Sequence, residues 1–120
     1  MNKKQTGELG EQIAEAIYKK WGHKVLHRNM ATPFGEIDII TRSQGITHLI
    51  EVKVAGKSSF GSAYEKWHSS QRKRFVRATK YLIAKGIIDI ENVSCELISI
   101  DISKPDEVTF KRFQNLPIDI

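Results

Sequence analysis

A chain of 120 residues, 40% hydrophobic and 28% charged, is the size of one domain and long enough to bury a core. Its formal charge of +5 and pI near 9.4 bring in a polyanion such as nucleic acid as a partner, beside the plainer reading of an ordinary basic protein. A single cysteine, Cys95, excludes an internal disulfide, no Cys and His set offers a zinc site, and no apolar run approaches the ~18 residues that span a bilayer. The start MNKKQTGELGEQ has no hydrophobic signal core, so a cytoplasmic protein with no membrane partner is expected.

From Thr6 to Trp21, Leu9, Ile13, Ala14, Ile17 and Trp21 recur at helical spacing, with Thr6 as the cap and Gly22 as the stop. KVLHRNM reads as a first strand, Thr32-Pro33 breaks it, and GEIDIIT resumes as a second. Gly45 marks a tight turn, and ITHLIEVKVA follows as a third strand. AGKSSFGS is a loop, and SAYEKWHSSQRKRFVRATKYLIAKG is a long amphipathic helical region. Phe75, Val76, Ala78, Leu82 and Ile83 are its core side, and Arg72, Lys73, Arg77 and Lys80 its basic surface. VSCELISIDI and EVTFKRF are two further strands around a turn at Pro105-Asp106. The order αβββαβ(β) predicts one domain over residues 1–120, a sheet covered by helices, because the third strand is apolar on both sides.

Charges interrupt the apolar hairpin GEIDIITRSQGITHLIEVKVA at Asp38, Glu51 and Lys53. A two-residue turn at Gln44-Gly45 pairs Ser43 with Ile46 and, in the same register, places Asp38 opposite Glu51. Facing residues share one side of a sheet with Cβ atoms about 5 Å apart, and Lys53, two residues on, points the same way. Two carboxylates so close repel, and a cation between them relieves the repulsion. Hard ions such as Mg²⁺ or Mn²⁺ take such oxygens, with the Val52 backbone carbonyl as a further ligand and Lys53 beside the reacting phosphate. The competing reading is an Asp38–Lys53 salt bridge at a sheet edge with Glu51 solvated; the flanking Ile37, Ile39, Ile50, Val52 and Val54 argue for central strands and against it. His23 and His27 are four apart, but they fall where a helix gives way to a strand, which argues against metal ligation by that pair.

Asp38 followed by Glu51-Val52-Lys53 matches the D…(D/E)xK signature of the restriction-endonuclease-like superfamily. More specifically, the chain resembles the YraN-type family of bacterial proteins, which are similar to archaeal Holliday-junction resolvases and predicted to be nucleases. The resemblance is carried by Gly7, Gly10-Glu11 and Ala14, by Asn29, by Gly35-Glu36-Ile37-Asp38-Ile39-Ile40, by Glu51-Val52-Lys53, by Phe60-Gly61, and by Ala78 with Tyr81-Leu82. It implies a restriction-endonuclease-like α/β domain with a mixed, twisted central sheet, and a metal-dependent DNA endonuclease acting on branched or Holliday-junction-like DNA. It further implies Asp38 and Glu51 as Mg²⁺ or Mn²⁺ ligands, Lys53 as the catalytic lysine, Glu11 as an acidic group brought in from the first helix, and a homodimer. Lys57, Gln71, Arg72, Lys73, Arg74 and Arg77 would then be phosphate contacts, with an ordinary solvated helix face as the alternative. Glu36 is either at the rim of the site or a solvated glutamate at the strand start. Trp67, His68 and Tyr64 are candidates for stacking on bases, although a Trp at a helix start more often belongs to the core.

The chain departs from the family at Ser70, where many members carry Lys, and at Glu96-Leu97-Ile98, where many carry Arg-Phe-Asp. Neither departure touches the carboxylates. Beside the endonuclease stand a non-catalytic nucleic-acid-binding module that keeps the fold, and an adaptor with a vestigial acidic pocket.

Overall fold

The computed structural model describes residues 1–55, 67 and 70–118. In chain order they form α1 (Lys3–Lys20), β1 (Lys24–Thr32), β2 (Gly35–Ser43), β3 (Ile46–Ala55), α2 (Ser70–Ala84), a 3-10 turn (Ile90–Asn92), β4 (Val93–Lys104) and β5 (Glu107–Phe113). The strands make one sheet in the order β1-β2-β3-β4-β5, antiparallel except for the parallel β3–β4 pair. A parallel pair needs a crossover connection, and α2 lies in it.

Both Gln44 (φ 51°) and Gly45 (φ 77°) take the left-handed backbone that a two-residue I′ hairpin turn requires. The β2–β3 ladder therefore runs in the expected register, from Ser43 opposite Ile46 to Ile39 opposite Ile50. β3, apolar on both sides, is central and covered on both faces. On one face Ala14 and Tyr18 of α1 pack with Ile39, Ile50, Ile98 and Ile100. On the other, Phe75, Ala78 and Leu82 of α2 pack with Ile40, Leu49, Cys95 and Leu97. This is the restriction-endonuclease-like α/β architecture, a mixed sheet between helices.

Several expectations shift. α1 begins at Lys3 rather than Thr6, because Asn2 accepts from the Gln5 N–H (2.8 Å) while the Gln5 side chain accepts from the Asn2 N–H (3.0 Å). This reciprocal pair satisfies two otherwise unpaired donors, and Thr6 instead bonds the Asn2 carbonyl. The buried residues of α1 are Gly10, Ala14 and Tyr18, four apart, whereas Trp21 is 41% exposed. α2 begins at Ser70; of the helical region expected ahead of it only Trp67 is described. Its indole is buried edge-on against Phe75, centroids 5.4 Å apart, so it is a core residue and not a platform for bases. Tyr64, His68 and Phe60-Gly61 lie outside the described residues. Among the described residues no helix is long and apolar enough to cross a membrane.

Under α1 the core holds a charge. Glu96 is fully buried and accepts from Tyr18 Oη (2.7 Å), Ser94 Oγ (2.9 Å), Arg112 Nε and Nη2 (2.8 Å each) and His48 Nδ1. Burial alone would raise its pKa, but the His48 and Tyr18 hydrogen bonds and the Arg112 charge outweigh it and hold the carboxyl below its ordinary value. Arg112 in turn lies over the rings of Trp21 (4.9 Å) and Tyr18 (5.1 Å), so one guanidinium joins β5, β4 and the end of α1.

Two stability predictions follow from this packing. A Cβ at Gly10 would sit 2.5 Å from Cγ2 of Val54, a stiff β-branched neighbour, whereas one at Gly7 meets nothing within 4 Å. Gly10→Ala should therefore lose about 1–2 kcal/mol, overpacking outweighing its helix propensity, and Gly7→Ala should gain up to ~1 kcal/mol, both read from urea midpoints. Arg112→Leu leaves Glu96 buried with only neutral donors and His48. It should cost about 3 kcal/mol in the same assay, near the low end for a broken buried pair.

Candidate active site

The ladder between β1 and β2 pairs Arg28 with Ile39 and Met30 with Ile37, stepping over Asn29 and Asp38. Asn29 has φ 52°, a left-handed conformation that few side chains other than Asn tolerate. Alternation along β2 slips at the same point: Ile37 joins the α2-side core and Ile39 the α1-side core, although residues two apart on a regular strand share a face. Asp38 sits in this irregularity. Its Oδ2 accepts the backbone N–H of Val52 at 2.8 Å, so the side chain takes up the pairing of β2 with β3 where the ladder ends.

That bond brings Asp38 against Glu51, close enough for one carboxyl to hydrogen-bond the other. Lys53 Nζ is 3.6 Å from Glu51 Oε2, with both side chains largely buried. The ion pair is thus Lys53–Glu51, in the middle of the sheet, and not the Asp38–Lys53 edge bridge weighed above. Burial first, then the charge of Glu51 and the hydrogen bond to it, raise the Asp38 carboxyl from its ordinary 3.8 to about 8; the Val52 N–H opposes this and the charge of Glu11 adds to it.

Glu51 and Lys53 open onto a cavity of about 130 Å³ whose other walls are Gly35, Glu36, Gln71, Arg74 and Phe75. Glu36 is therefore at the rim. Of the expected phosphate contacts, Gln71 and Arg74 reach the cavity wall, while Lys73 and Arg77 are exposed on α2 and Arg72 lies over Trp67 at 5.9 Å. Lys57 lies outside the described residues. Glu11 is within electrostatic reach of Asp38, but its carboxylate is held by Asn29 Nδ2 (3.0 Å) and Arg28 Nη2 (3.3 Å). Arg28 also grips Glu15 at 2.6 Å. Asn29 is the residue to which the sequence assigned no role. An Asn amid a strand pattern, a residue that tolerates left-handed backbone, was the available signal.

Among the described residues no three His, Cys, Asp or Glu side chains converge to hold an ion by themselves. The two facing carboxylates are a hard-oxygen donor pair of the kind Mg²⁺ accepts, with its other positions left to backbone, water and substrate. Asp38 and Glu51 thus have the donor chemistry that a Mg²⁺ or Mn²⁺ ion takes.

The model of the uncharacterised protein family UPF0102 matches residues 10–110. A UPF0102 protein of Dictyoglomus turgidum is 31% identical over 108 residues, 90% of this chain and 92% of that one. A relative from Alkaliphilus metalliredigens is 37% identical over 90 residues, 73% of this chain and 78% of its own. One from Caldicellulosiruptor saccharolyticus is 32% identical over 85 residues, covering 71% and 72%.

The raised Asp38 pKa makes a stability prediction. A carboxyl whose folded pKa lies above its unfolded one favours the folded state while protonated, so its contribution is full below about pH 4 and lost as the pH rises through about 8. In a chelating buffer, the melting temperature of the wild type should fall between pH 6 and pH 9. Asp38→Asn should remove most of that fall and melt higher than wild type at pH 9, as followed by circular dichroism.

Proposed function

Since the chain belongs to the uncharacterised protein family UPF0102, whose match takes in every residue of the carboxylate site, we propose that it is a metal-dependent endonuclease that hydrolyses phosphodiester bonds in DNA. One observation carries this reading: the Asp38 and Glu51 carboxyls lie against each other with the Lys53 ammonium 3.6 Å from Glu51, and Glu51 and Lys53 share a cavity with Arg74 and Gln71. A structural salt bridge needs one carboxylate; the second, Asp38, is buried beside it and keeps its proton for want of a cation, which a divalent ion would replace.

Asp38, Glu51 and the Val52 carbonyl would hold Mg²⁺ or Mn²⁺, which when bound supplies Lewis acidity at a phosphate oxygen and lowers the pKa of water. The chain's own residues do the rest. Arg74 and Gln71 hold the phosphate across the cavity from the carboxylates, with Arg74 able to grip two oxygens. Lys53 orients the attacking water and neutralises charge gathering on the phosphate, while Glu51 holds its ammonium at the reacting centre. Asn29 and Arg28 restrain Glu11 near the pair, where its carboxylate adds negative charge. Lys73 and Arg77, exposed on α2, extend the phosphate track beyond the cavity. Branched DNA, and a dimer to make paired cuts in it, are the finer form of the proposal.

Purified protein should be incubated with labelled four-way junction, flap and linear duplex DNA in Mg²⁺ or Mn²⁺. Wild type should cut at least one of them, and Asp38→Ala and Lys53→Ala should each lower the rate by at least ~10²-fold while still binding DNA. Cleavage that survives both substitutions overturns the site. Steeply salt-dependent binding without cleavage of any substrate makes the chain the binding module instead.

A further inference from the structure

On the α1 side of the sheet lies a second group of chemistry-bearing side chains that the proposed reaction does not use. His23, just past α1, and His48, on β3, lie with ring centroids 4.5 Å apart and planes tilted by 59°. Each ring is anchored through Nδ1: His23 to Thr41 Oγ1 at 2.7 Å, and His48 to the buried Glu96 carboxylate. Glu96 is held ionised by Arg112 and Tyr18, so His48 donates to it through Nδ1, which leaves Nε2 as the ring nitrogen open to a ligand. Both rings line an open pocket of about 330 Å³ with Trp21, Ser43, Gln44, Ile46, Arg112 and Gln114.

We propose that His23 and His48 form a second cation site, for a borderline transition-metal ion of the Zn²⁺ class, bound through the two Nε2 atoms and completed by water from the open pocket. Metal-binding imidazoles almost always give their other ring nitrogen to a carboxylate, backbone carbonyl or water; Glu96 occupies that outer position for His48, and Thr41 Oγ1 restrains the His23 ring through Nδ1. Imidazole suits Zn²⁺, Ni²⁺ and Cu²⁺, while the oxygen pair at Asp38 and Glu51 suits Mg²⁺, so the two sites select different ions. They are also separate in space: His48 is three residues, roughly 10 Å, from Glu51 along β3 and on the opposite face of the sheet. Arg112, which also lines the pocket, donates two bonds to Glu96, which leaves that pair neutral as a unit. A metal here would tie the end of α1 to the central strand. The partner of His23 is therefore His48 on the sheet, not His27, whose side chain is exposed on β1.

Titration of the full chain with Co²⁺ in excess Mg²⁺ tests this, because tetrahedral Co²⁺ on nitrogen ligands has a visible absorption band and Mg²⁺ occupies the oxygen site. Wild type should bind one Co²⁺ per chain in the micromolar range, Zn²⁺ should displace it, and Zn²⁺ should raise the melting temperature. His23→Gln and His48→Gln should each weaken binding by about tenfold or more, and Asp38→Ala should stay within about twofold of wild type. Binding that needs millimolar metal, survives either His substitution, or is lost in Asp38→Ala overturns the site. If His48→Gln does not fold, because Glu96 loses a donor, His23→Gln decides alone. The outcome is independent of DNA cleavage, so a failed nuclease assay leaves it intact.

Discussion

The site depends on a conflict between burial and charge at the centre of the sheet. β3 is covered on both faces, so most of its residues must be apolar, yet Glu51 and Lys53 sit in it beside Asp38 of β2. Taking carboxylates out of water raises their pKa and costs folding free energy unless something pairs with them. The chain supplies one lysine and one backbone N–H to two carboxylates, too little to keep both ionised, and the Asp38 carboxyl is raised accordingly. A charge cluster in so apolar a setting is better explained by chemistry than by stability.

Holding that cluster takes a departure from regular sheet geometry. A regular ladder would give Val52 N–H a carbonyl partner; here it meets the Asp38 carboxylate, and Asn29 across β1 turns left-handed. Backbone in a sparsely populated conformation persists where its surroundings over-determine it, and the Asn29 amide bond to Glu11 is one such restraint. The same residue therefore shapes the strand and fixes a third acidic group near the pair.

The other face handles buried charge in the opposite way. Glu96 is fully buried, and its carboxylate is matched by Tyr18, Ser94, His48 and Arg112. Arg112 comes from the neighbouring strand β5, so the charge pairing of this region runs across β4 and β5. A complete network of this kind specifies packing, and an incomplete one, as at Asp38, invites a ligand.

The sequence by itself determined the order of elements and the hairpin, because Gln44-Gly45 admits one tight turn and a period-two ladder carries its register as far as Ile39 opposite Ile50; beyond that pair the ladder ends, and the irregularity at Asp38 sets how it meets Glu51. It determined the core face of α2 through 3.6-residue periodicity, and the family through the spacing of GEIDII and EVK. It placed the start of α1 late, since a reciprocal Asn2–Gln5 cap outcompetes the Thr6 signal that periodicity suggests. Only the tertiary structure decided which lysine contact forms, that Trp67 is core, that Asn29 and Arg28 hold Glu11, and that His23 meets His48 and not His27. The Glu11 and His23 contacts join residues 17 to 25 positions apart on different elements, where local pattern carries no information and only the packing of α1 on the sheet sets the distance.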